Sequence, residues 1–361
     1  MAPEHITARY SGYTSCTKML SPRPHYASSG LITEVIENLI RDYILSLVDS
    51  FRDILGSEKF SEAILEAGLT RLEAGASYPL PCPNPTKTFE GINVVGVDGG
   101  SFGLSLHPLR MIIARTAVFS HSQNIDRPLN LRDCWRASVV LLREIGPLED
   151  CMRRKSRETL ASLEATTVAE LVEEYASALD VVIWDGPLYT RRFLRRQYSA
   201  VKALADRAIM CIRVVKNVSS ARIARTLGLR GITDADIFSY SLPLGFRTPL
   251  FLYDGPLVRG LPGDMKPIFF YAKTEQGVLR FEFPLWMLEE YGARRIIDII
   301  AADLTLGGGI SYVVSRADQL ARFREEEKRH IFFRIVQILE DYGFGRPVMF
   351  NQNRWGRFLR K

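Results

Sequence analysis

Two aspartates that each follow an apolar run and precede a glycine are the residues of this chain best suited to metal chemistry. Asp98 follows the run Ile92–Val97 and precedes Gly99-Gly100, and Asp185 follows Val181–Trp184. Such β-branched runs predict buried strands, and carboxylates at strand ends commonly hold hard cations such as Mg²⁺ or Mn²⁺. We expect the two glycines to turn the chain sharply and to leave room beside Asp98. A solvated turn is an equally good interpretation of the Asp98 stretch alone.

A charged helix precedes the second aspartate and could add a third carboxylate to the first two. The pattern predicts this helix from about Leu148 to Leu179, with several glutamates along it. Acidic groups packed together repel one another and resist burial unless a cation lies between them. A divalent cation held there would activate water and neutralise charge on a phosphate. The similar Asp254–Leu257 stretch is a rival for the Asp185 motif.

Composition places the chain among ordinary globular proteins. Of its 361 residues, 47% are hydrophobic and 24% are charged, and the net charge of +6 permits a polyanionic partner. Five dispersed cysteines argue against a disulfide framework and against a zinc knuckle. Apolar runs stay below the roughly 18 residues that a membrane span needs, and the N-terminus lacks a secretory pattern. We therefore expect a cytoplasmic protein without a membrane partner.

Strand and helix patterns alternate along the chain and predict an α/β fold, with a central mixed sheet flanked by helices and with helical N- and C-terminal additions. Residues 1–30 lack any period and predict a poorly ordered extension, so that 31–361 would form a single domain. The stretch from Asn124 to Gly146 is ambiguous. Besides the two aspartate strands, the predicted elements are a helix over 31–68, a break at Ser77–Pro85, strands at Leu109–Phe119 (pairing with the Asp98 strand) and Ala208–Val215, a hairpin of Pro267–Tyr271 with Val278–Phe283, and helices at Trp286–Leu306 and from about Val314.

A series of short motifs, in order, resembles the NurA nuclease family over about residues 90–325. Each motif is weak singly, and their number and order are more specific. The motifs are Val97–Ser101, Val182–Leu188, Val214–Lys216, Thr233–Phe238, Gly245–Thr248, Phe270–Lys273 and Leu279–Pro284. The resemblance implies an RNase H-like core and a Mn²⁺-dependent (or Mg²⁺-dependent) nuclease. It also implies action on DNA ends and single-stranded DNA as a 5′–3′ exonuclease and single-strand endonuclease, a homodimer, and a partnership with a HerA-type hexameric ATPase in double-strand-break end resection, repair and homologous recombination.

The resemblance also implies a metal ligand set. Asp98 and Asp185 match the first and second metal-binding aspartates of the family. The family adds a glutamate from the helix before the second aspartate; Glu170 fits best, with Glu173 and Glu164 as rivals. Any one of these glutamates could instead belong to a solvated helix face.

The C-terminal signature departs from the family pattern of Gly-Tyr-Pro followed by Ala-His. Ile310 and Ser311 replace the Tyr and Pro, and Asp318 replaces the His. Asp318 can ligate a hard metal but cannot act as a neutral imidazole base. Tyr312, two residues late, could stand in for the missing tyrosine and is a candidate for contact with DNA. The alternatives are an active enzyme with an all-carboxylate site, which we favour, and a relative with weakened catalysis.

Several basic residues are candidates for contact with DNA. Lys216, at the end of a strand beside the expected site, could hold the scissile phosphate or be a plain surface lysine. Arg280 could position the DNA backbone, although an ion pair with Glu282 on the same strand face is the better interpretation. Arg191 and Arg195, in a basic segment after Asp185, could line a DNA channel or a solvated helix face. A basic tail around Trp355 resembles a stacking element for single strands, but docking on its own domain is the better interpretation.

The sequence therefore predicts a metal-dependent DNA nuclease with Asp98, Glu170, Asp185 and Asp318 as ligands. The first alternative is a catalytically weakened module of the same fold that binds DNA ends or the ATPase. A phosphatase or sugar-kinase-like enzyme is less well supported, because no phosphate-cradling glycine loop followed by lysine occurs.

Overall fold

A computed structural model describes residues 54–343 except for 107–108, 125, 128, 130, 132–134 and 143–147, together with residues 37, 38, 40, 41 and 51. The chain divides into two compact units, residues 1–50 and 51–361, and nearly all described residues belong to the second. Residues 37, 38, 40 and 41, within the helix predicted over 31–68, are helical. The predicted extension over residues 1–30, most of the rest of that helix before residue 54 and the basic tail lie outside the described residues.

The described residues of the second unit form eleven strands and nine helices that mostly alternate along the chain. The strands are β1 (Leu69–Arg71), β2 (Tyr78–Pro79), β3 (Asn93–Ser105), β4 (Arg110–Ser122), β5 (Trp135–Leu141), β6 (Val181–Asp185), β7 (Met210–Val215), β8 (Phe246–Arg247), β9 (Phe251–Tyr253), β10 (Pro267–Thr274) and β11 (Gly277–Pro284). The helices are α1 (Glu58–Glu66), α2 (Pro85–Phe89), α3 (Leu148–Tyr175), α4 (Leu194–Ala205), α5 (Arg222–Thr226), α6 (Asp234–Ser241), α7 (Leu285–Leu306), α8 (Tyr312–Ala321) and α9 (Glu325–Asp341).

One mixed sheet runs through this unit in the order β1-β9-β10-β11-β7-β6-β3-β4-β5, with β2 and β8 paired beside β10. Strands β3, β6 and β7 are parallel, whereas β3, β4 and β5 form an antiparallel meander and β11 is antiparallel to β7. The three parallel strands are apolar and fully buried along most of their length, as expected for strands covered on both faces. The predicted α/β fold with a mixed sheet flanked by helices is confirmed.

Strand β3 does not end at Asp98, and the sharp turn predicted at Gly99-Gly100 is wrong. The strand continues to Ser105 and pairs with β4 throughout, with Gly99 opposite Thr116. The glycines instead let helices approach the strand closely. A Cβ added at Gly96 or Gly100 would lie 2.2 Å from the Val313 carbonyl oxygen or 2.4 Å from that of Ala321. Close backbone approach, rather than a turn, is the reason for glycine in this strand.

Helices α8 and α3 cover opposite faces of β3. Successive strand residues point to opposite faces, so the glycines at 96 and 100 face α8 while those at 99 and 103 face α3. A Cβ at Gly103 would lie 1.9 Å from the Met152 Cε of α3. The central part of β3 is therefore enclosed between two helices.

The other strand and helix predictions agree with the structure in most cases. The antiparallel pairing of β3 with β4, the β10–β11 hairpin, and the helices α3 and α7 are confirmed. Strand β5 lies within the stretch that the sequence left unassigned, and the prolines of Ser77–Pro85 admit the short β2. None of the described helices combines the length and apolar character needed to cross a bilayer.

Gly96→Ala tests the close packing of α8 on β3. The added methyl group would collide with backbone atoms, which cannot move as a flexible side chain can, so we expect a loss of about 3 kcal/mol or more in the free energy of unfolding. Urea denaturation provides the measurement. Gly260→Ala is the control, because its Cβ would meet no atom within 4 Å. Equal stability of the two variants would contradict the described packing.

Candidate functional site

Asp98 and Asp185 lie side by side on the same face of the sheet. Val97 pairs with Trp184 in the parallel β3–β6 ladder, so the next residues of both strands stand at the same level. Because alternate residues share a face, both aspartates lie on the face covered by α8. Asp98 is buried, with 6% of its side chain exposed, while Asp185 at the strand end is 32% exposed.

Lys216 brings its ammonium group between the two carboxylates. Its Nζ donates a hydrogen bond of 2.7 Å to Asp98 Oδ2 and lies 3.3 Å from Asp185 Oδ1. The pairing of Asp185 with Val214 fixes this arrangement, because the residue two positions beyond Val214 projects on the same face. The lysine that the sequence placed beside the site therefore lies at its centre.

The charges of these three groups are strongly coupled. Burial, reinforced by the charge of Asp185, raises the pKa of Asp98 to about 7 against the opposing effect of Lys216. Burial alone would lower the pKa of Lys216, but the charges of Asp185 and Asp98 outweigh it and raise that pKa, with a smaller contribution from Asp318. A single ammonium thus offsets only part of the repulsion between the aspartates.

A third carboxylate, that of Glu164, approaches the aspartates from the α3 side of the sheet. The absence of a side chain at Gly99 makes room for it, since a Cβ there would lie 2.8 Å from Glu164 Oε1. The Trp184 Nε1 donates a hydrogen bond of 2.9 Å to Glu164 Oε2. Burial raises the pKa of Glu164 to about 8, opposed mainly by Arg213 and reinforced by the charges of Asp98 and Asp185.

The structure does not bring Glu170, the glutamate preferred from the sequence, to this cluster. Glu170 lies nearly two turns further along α3, where it forms an ion pair of 2.6 Å with Arg136 of β5 and is 39% exposed. Glu173 is exposed as well. The distance in sequence to Asp185 could not decide among these residues, because it does not reveal how far α3 extends past the strand. Glu164 therefore replaces Glu170 as the third carboxylate.

Sequence reasoning missed Arg213, the cation that supports Glu164. This arginine lies in the apolar strand β7 and is almost completely buried, with its guanidinium 3.6 Å from the centroid of the Trp184 ring. Its Nε donates to the Gly186 carbonyl oxygen at 3.0 Å. An arginine within Met-Cys-Ile-Arg-Val-Val was the available signal, since a buried arginine requires an acidic partner.

Asp318, on α8, borders the cluster. It is 37% exposed and accepts a hydrogen bond of 2.8 Å from Arg322 on the next turn of the chain. The start of α8 is held by Asp303 of α7, whose Oδ1 accepts the Val313 N–H at 3.1 Å. Tyr312 precedes Val313 and packs against Phe119 and His121 of β4, with ring centroids 5.7 and 5.8 Å away.

The remaining predicted basic residues lie outside the carboxylate cluster. Arg280 forms the expected ion pair with Glu282 at 2.5 Å. Glu282 also accepts the Leu188 N–H at 2.7 Å, so the pair holds the turn that follows Asp185. Arg191 and Arg195 are exposed around the start of α4. The rival Asp254 is ion-paired with Lys266 at the end of β9, far across the sheet order from β3.

The donor set fits a hard divalent cation, although within the described ranges no three Asp, Glu, His or Cys side chains are already gathered as a formed metal site. Asp185 Oδ1 is a buried atom that accepts no hydrogen bond. Burial and the charge of Asp185 raise the pKa of Asp98, and a divalent cation bound between the carboxylates would offset both effects more fully than the single charge of Lys216. All-oxygen ligands of this kind select Mg²⁺ or Mn²⁺.

Residues 92–323 match the family model of the NurA domain, which is well over half of the chain. The chain belongs to the NurA family. This match spans β3 to α8 and so includes every carboxylate of the cluster. No curated protein sequence matches the chain.

One solved structure shows the same fold, and two others are similar at lower scores. The NurA nuclease from Sulfolobus solfataricus aligns with a TM-score of 0.52 and 13% identity, over 87% of this chain and 98% of that one. A structure of NurA with manganese has a TM-score of 0.49 and 11% identity, over 85% and 98%. A structure of NurA bound to dAMP and manganese has a TM-score of 0.47 and 10% identity, over 84% and 96%.

The raised pKa values predict that the metal-free protein loses stability as the pH rises. The folded protein keeps the protons of Asp98 and Glu164 up to about pH 7 and 8, whereas the unfolded chain releases them near 3.8 and 4.5. The folded state therefore binds more protons in this window, and the free energy of unfolding falls as the pH rises through it. Urea denaturation in chelator between these limits measures the effect.

Glu164→Gln should flatten this pH dependence, because glutamine keeps an acceptor for Trp184 but does not titrate. Glu170→Gln, on the same helix, is the matched control and should leave the profile unchanged. A wild-type profile that rises with pH across this window would contradict the described burial of the carboxylates.

Proposed function

We propose that the chain, a nuclease by its family, hydrolyses DNA with a divalent cation held by Asp98, Asp185 and Glu164. The observation that carries the proposal is the position of the Lys216 ammonium between the two aspartates, with a third buried carboxylate behind them. The packing of β3, β6 and α3 brings these groups together from positions that are far apart in the sequence.

Asp98, Asp185 and Glu164 would hold the metal, with Asp318 at the border as a fourth ligand. Mn²⁺ or Mg²⁺ bound there would activate water and neutralise charge on the phosphate. Lys216 already faces the aspartates, and with a cation held by them its ammonium would be suited to bind a non-bridging oxygen of the scissile phosphate. Arg213 and Trp184 fix Glu164, so its carboxylate is oriented before substrate arrives.

The core β5-β4-β3-β6-β7 supports the RNase H-like assignment made from the resemblance. It consists of a three-stranded antiparallel meander followed by two parallel strands, with α3 crossing between β5 and β6. The first aspartate lies on the first strand of the meander and the second ends the next parallel strand. This order supports the proposal that the metal site belongs to a core of that type.

The wider function is also proposed from the family. The proposed activity is that of a 5′–3′ exonuclease and single-strand endonuclease that acts on DNA ends. The proposed assembly is a homodimer that works with a HerA-type ATPase in double-strand-break resection. The basic side chains near the site, Lys216, Arg191 and Arg195, are suited to the DNA backbone. Arg280 pairs with Glu282 and Tyr312 packs against Phe119, so neither is assigned to the DNA backbone.

Digestion of end-labelled single- and double-stranded DNA tests the ligand assignment. With Mn²⁺ or Mg²⁺ we expect cleavage by the wild type, and none in chelator. Asp98→Asn and Asp185→Asn should each lower the rate by about 10³-fold or more, because each removes a metal-binding charge. Glu164→Gln should lower it by about 10²-fold, whereas Glu170→Gln should stay within about twofold of wild type. Activity lost in Glu170→Gln and retained in Glu164→Gln would reverse the assignment.

Thermal denaturation tests the metal site without catalysis. A cation must displace the protons of Asp98 and Glu164, so Mn²⁺ should raise the melting temperature more at pH 8.5 than at pH 6. Asp98→Asn should abolish most of the increase at both pH values. An equal increase in wild type and Asp98→Asn would show that Mn²⁺ binds elsewhere.

The alternative of a catalytically weakened module keeps one specific observation in its favour. Asp318, at the position where the family has a histidine, is held by Arg322 and borders the cluster without completing it. This alternative would be favoured if the protein binds DNA but yields no product in the digestion assay with either Mn²⁺ or Mg²⁺.

A further inference from the structure

A large cavity opens where β6 and β7 end. Its volume is about 930 Å³. Its lining includes Pro187, two residues after Asp185, and Asn217, next to Lys216. The two chain segments that carry the candidate catalytic residues therefore continue directly into the wall of this cavity.

The cavity lies on the opposite face of the sheet from the aspartates. Val215, which lines it, projects away from the face of Val214 and Lys216 and pairs with Arg280 of β11. Arg280 pairs in turn with Tyr271 of β10, and both also line the cavity. A strand of DNA bound at the cluster would therefore have to pass around the ends of β6 and β7 to enter the cavity.

Aromatic rings supply flat apolar surface inside the cavity. Tyr253 and Phe269 both line it and are largely buried. The guanidinium of Arg222 lies 3.8 Å from the centroid of the Tyr253 ring, which forms a stacked wall. Planar aromatic and guanidinium faces of this kind are the surfaces on which unpaired bases stack.

Cationic side chains outnumber acidic ones in the lining of the cavity, where four arginines face Glu66, Asp234 and Glu282. Two of the three acidic groups are engaged: Glu282 pairs with Arg280, and Asp234 accepts from the Ala224 N–H at 3.0 Å. Asp234 also accepts from the Ser220 hydroxyl and the backbone N–H of Arg222, which fixes the rim loop. Three further arginines line the cavity with their charges not used in a described ion pair: Arg191, Arg222 and Arg225.

The floor retains an unused hydrogen-bond donor. Arg280 is largely buried, with 15% of its side chain exposed, and its Nε has no hydrogen-bond partner. A buried donor left unpaired costs free energy unless a ligand satisfies it. The base edges of nucleic acids carry acceptors that suit such a donor.

We propose that this cavity binds an unpaired nucleotide of the DNA strand adjacent to the scissile phosphate. The aromatic walls would stack the base, and the arginines at the rim would hold its phosphate. The volume suits one or two nucleotides and excludes a double helix, so the cavity selects a single strand or a frayed end. The proposal rests on the nuclease function above, and it adds a substrate subsite to it.

Binding of a short labelled single strand, measured by fluorescence anisotropy in chelator, tests the cavity without cleavage. Arg222→Ala and Phe269→Leu should each weaken binding by about tenfold. Arg230→Ala is the matched control: it removes the same charge from an exposed position near the rim that does not line the cavity, and should change affinity by less than about twofold. Affinity of Arg222→Ala equal to that of Arg230→Ala would overturn the proposal.

A strand with a single abasic nucleotide separates base stacking from charge. Moving the abasic position along the strand should reveal one position at which wild-type affinity falls, and Phe269→Leu should be insensitive to it. Arg222→Lys keeps the charge but loses the planar stack, so it should recover only part of the affinity. Thermal denaturation of each variant confirms that it is folded. A wild type insensitive to every abasic position would overturn the stacking assignment.

A free deoxynucleoside monophosphate distinguishes a strand site from a site for released product. If the monophosphate displaces the strand only at concentrations far above the dissociation constant of the strand, the result supports the subsite. Displacement at comparable concentrations would overturn it in favour of a product site.

Failure of the nuclease function is separable from failure of the cavity. Asp98→Asn should bind the strand like wild type yet not cleave it. If the wild type cleaves nothing but Arg222→Ala still weakens binding, the nuclease function fails and the nucleotide site stands. If cleavage is normal and Arg222→Ala binds like wild type, only the cavity proposal fails.

Discussion

The contact on which the site depends is the ammonium of Lys216 held between the carboxylates of Asp98 and Asp185. Neighbouring parallel strands place the two aspartates at one level and on one face, so their charges cannot avoid each other. Burial makes the repulsion costly, and one lysine on the third parallel strand offsets only part of it. The register of β3, β6 and β7 thus produces a position that favours positive charge.

The glycines of β3 determine what can approach this position. Gly96 and Gly100 let the backbone of α8 lie on the strand to either side of Asp98, while Gly99 opens the other face to Glu164. Larger residues would hold both helices away and leave Asp98 in an open surface. The same strand therefore supplies the first carboxylate, buries it, and admits a third from behind. Arg213 and Trp184 then fix that third group in a place where an isolated glutamate would be unstable.

Much of this arrangement was predictable from local sequence, and the failures have physical reasons. Strand β6 ending at Asp185, the β10–β11 hairpin and the long α3 carry strong period and turn signals. The pair Gly99-Gly100 predicts a turn because the sequence does not show that helices press on both faces of β3. Spacing along α3 could not show that Glu164 rather than Glu170 lies beside the aspartates, because it does not fix where that helix passes the strands. The sequence predicts Lys216 beside the site from its position at the end of a strand. Its contact with both aspartates depends on a register set by three strands, which the sequence does not show.

The most direct measurement is the anomalous scattering of manganese in crystals of the protein soaked with Mn²⁺. We expect a peak bounded by the side chains of Asp98, Asp185 and Glu164, with the Lys216 ammonium displaced from its contact with Asp98. A manganese peak at Glu170 or at any other position, with Lys216 still bridging the two aspartates, would contradict a metal site at this cluster.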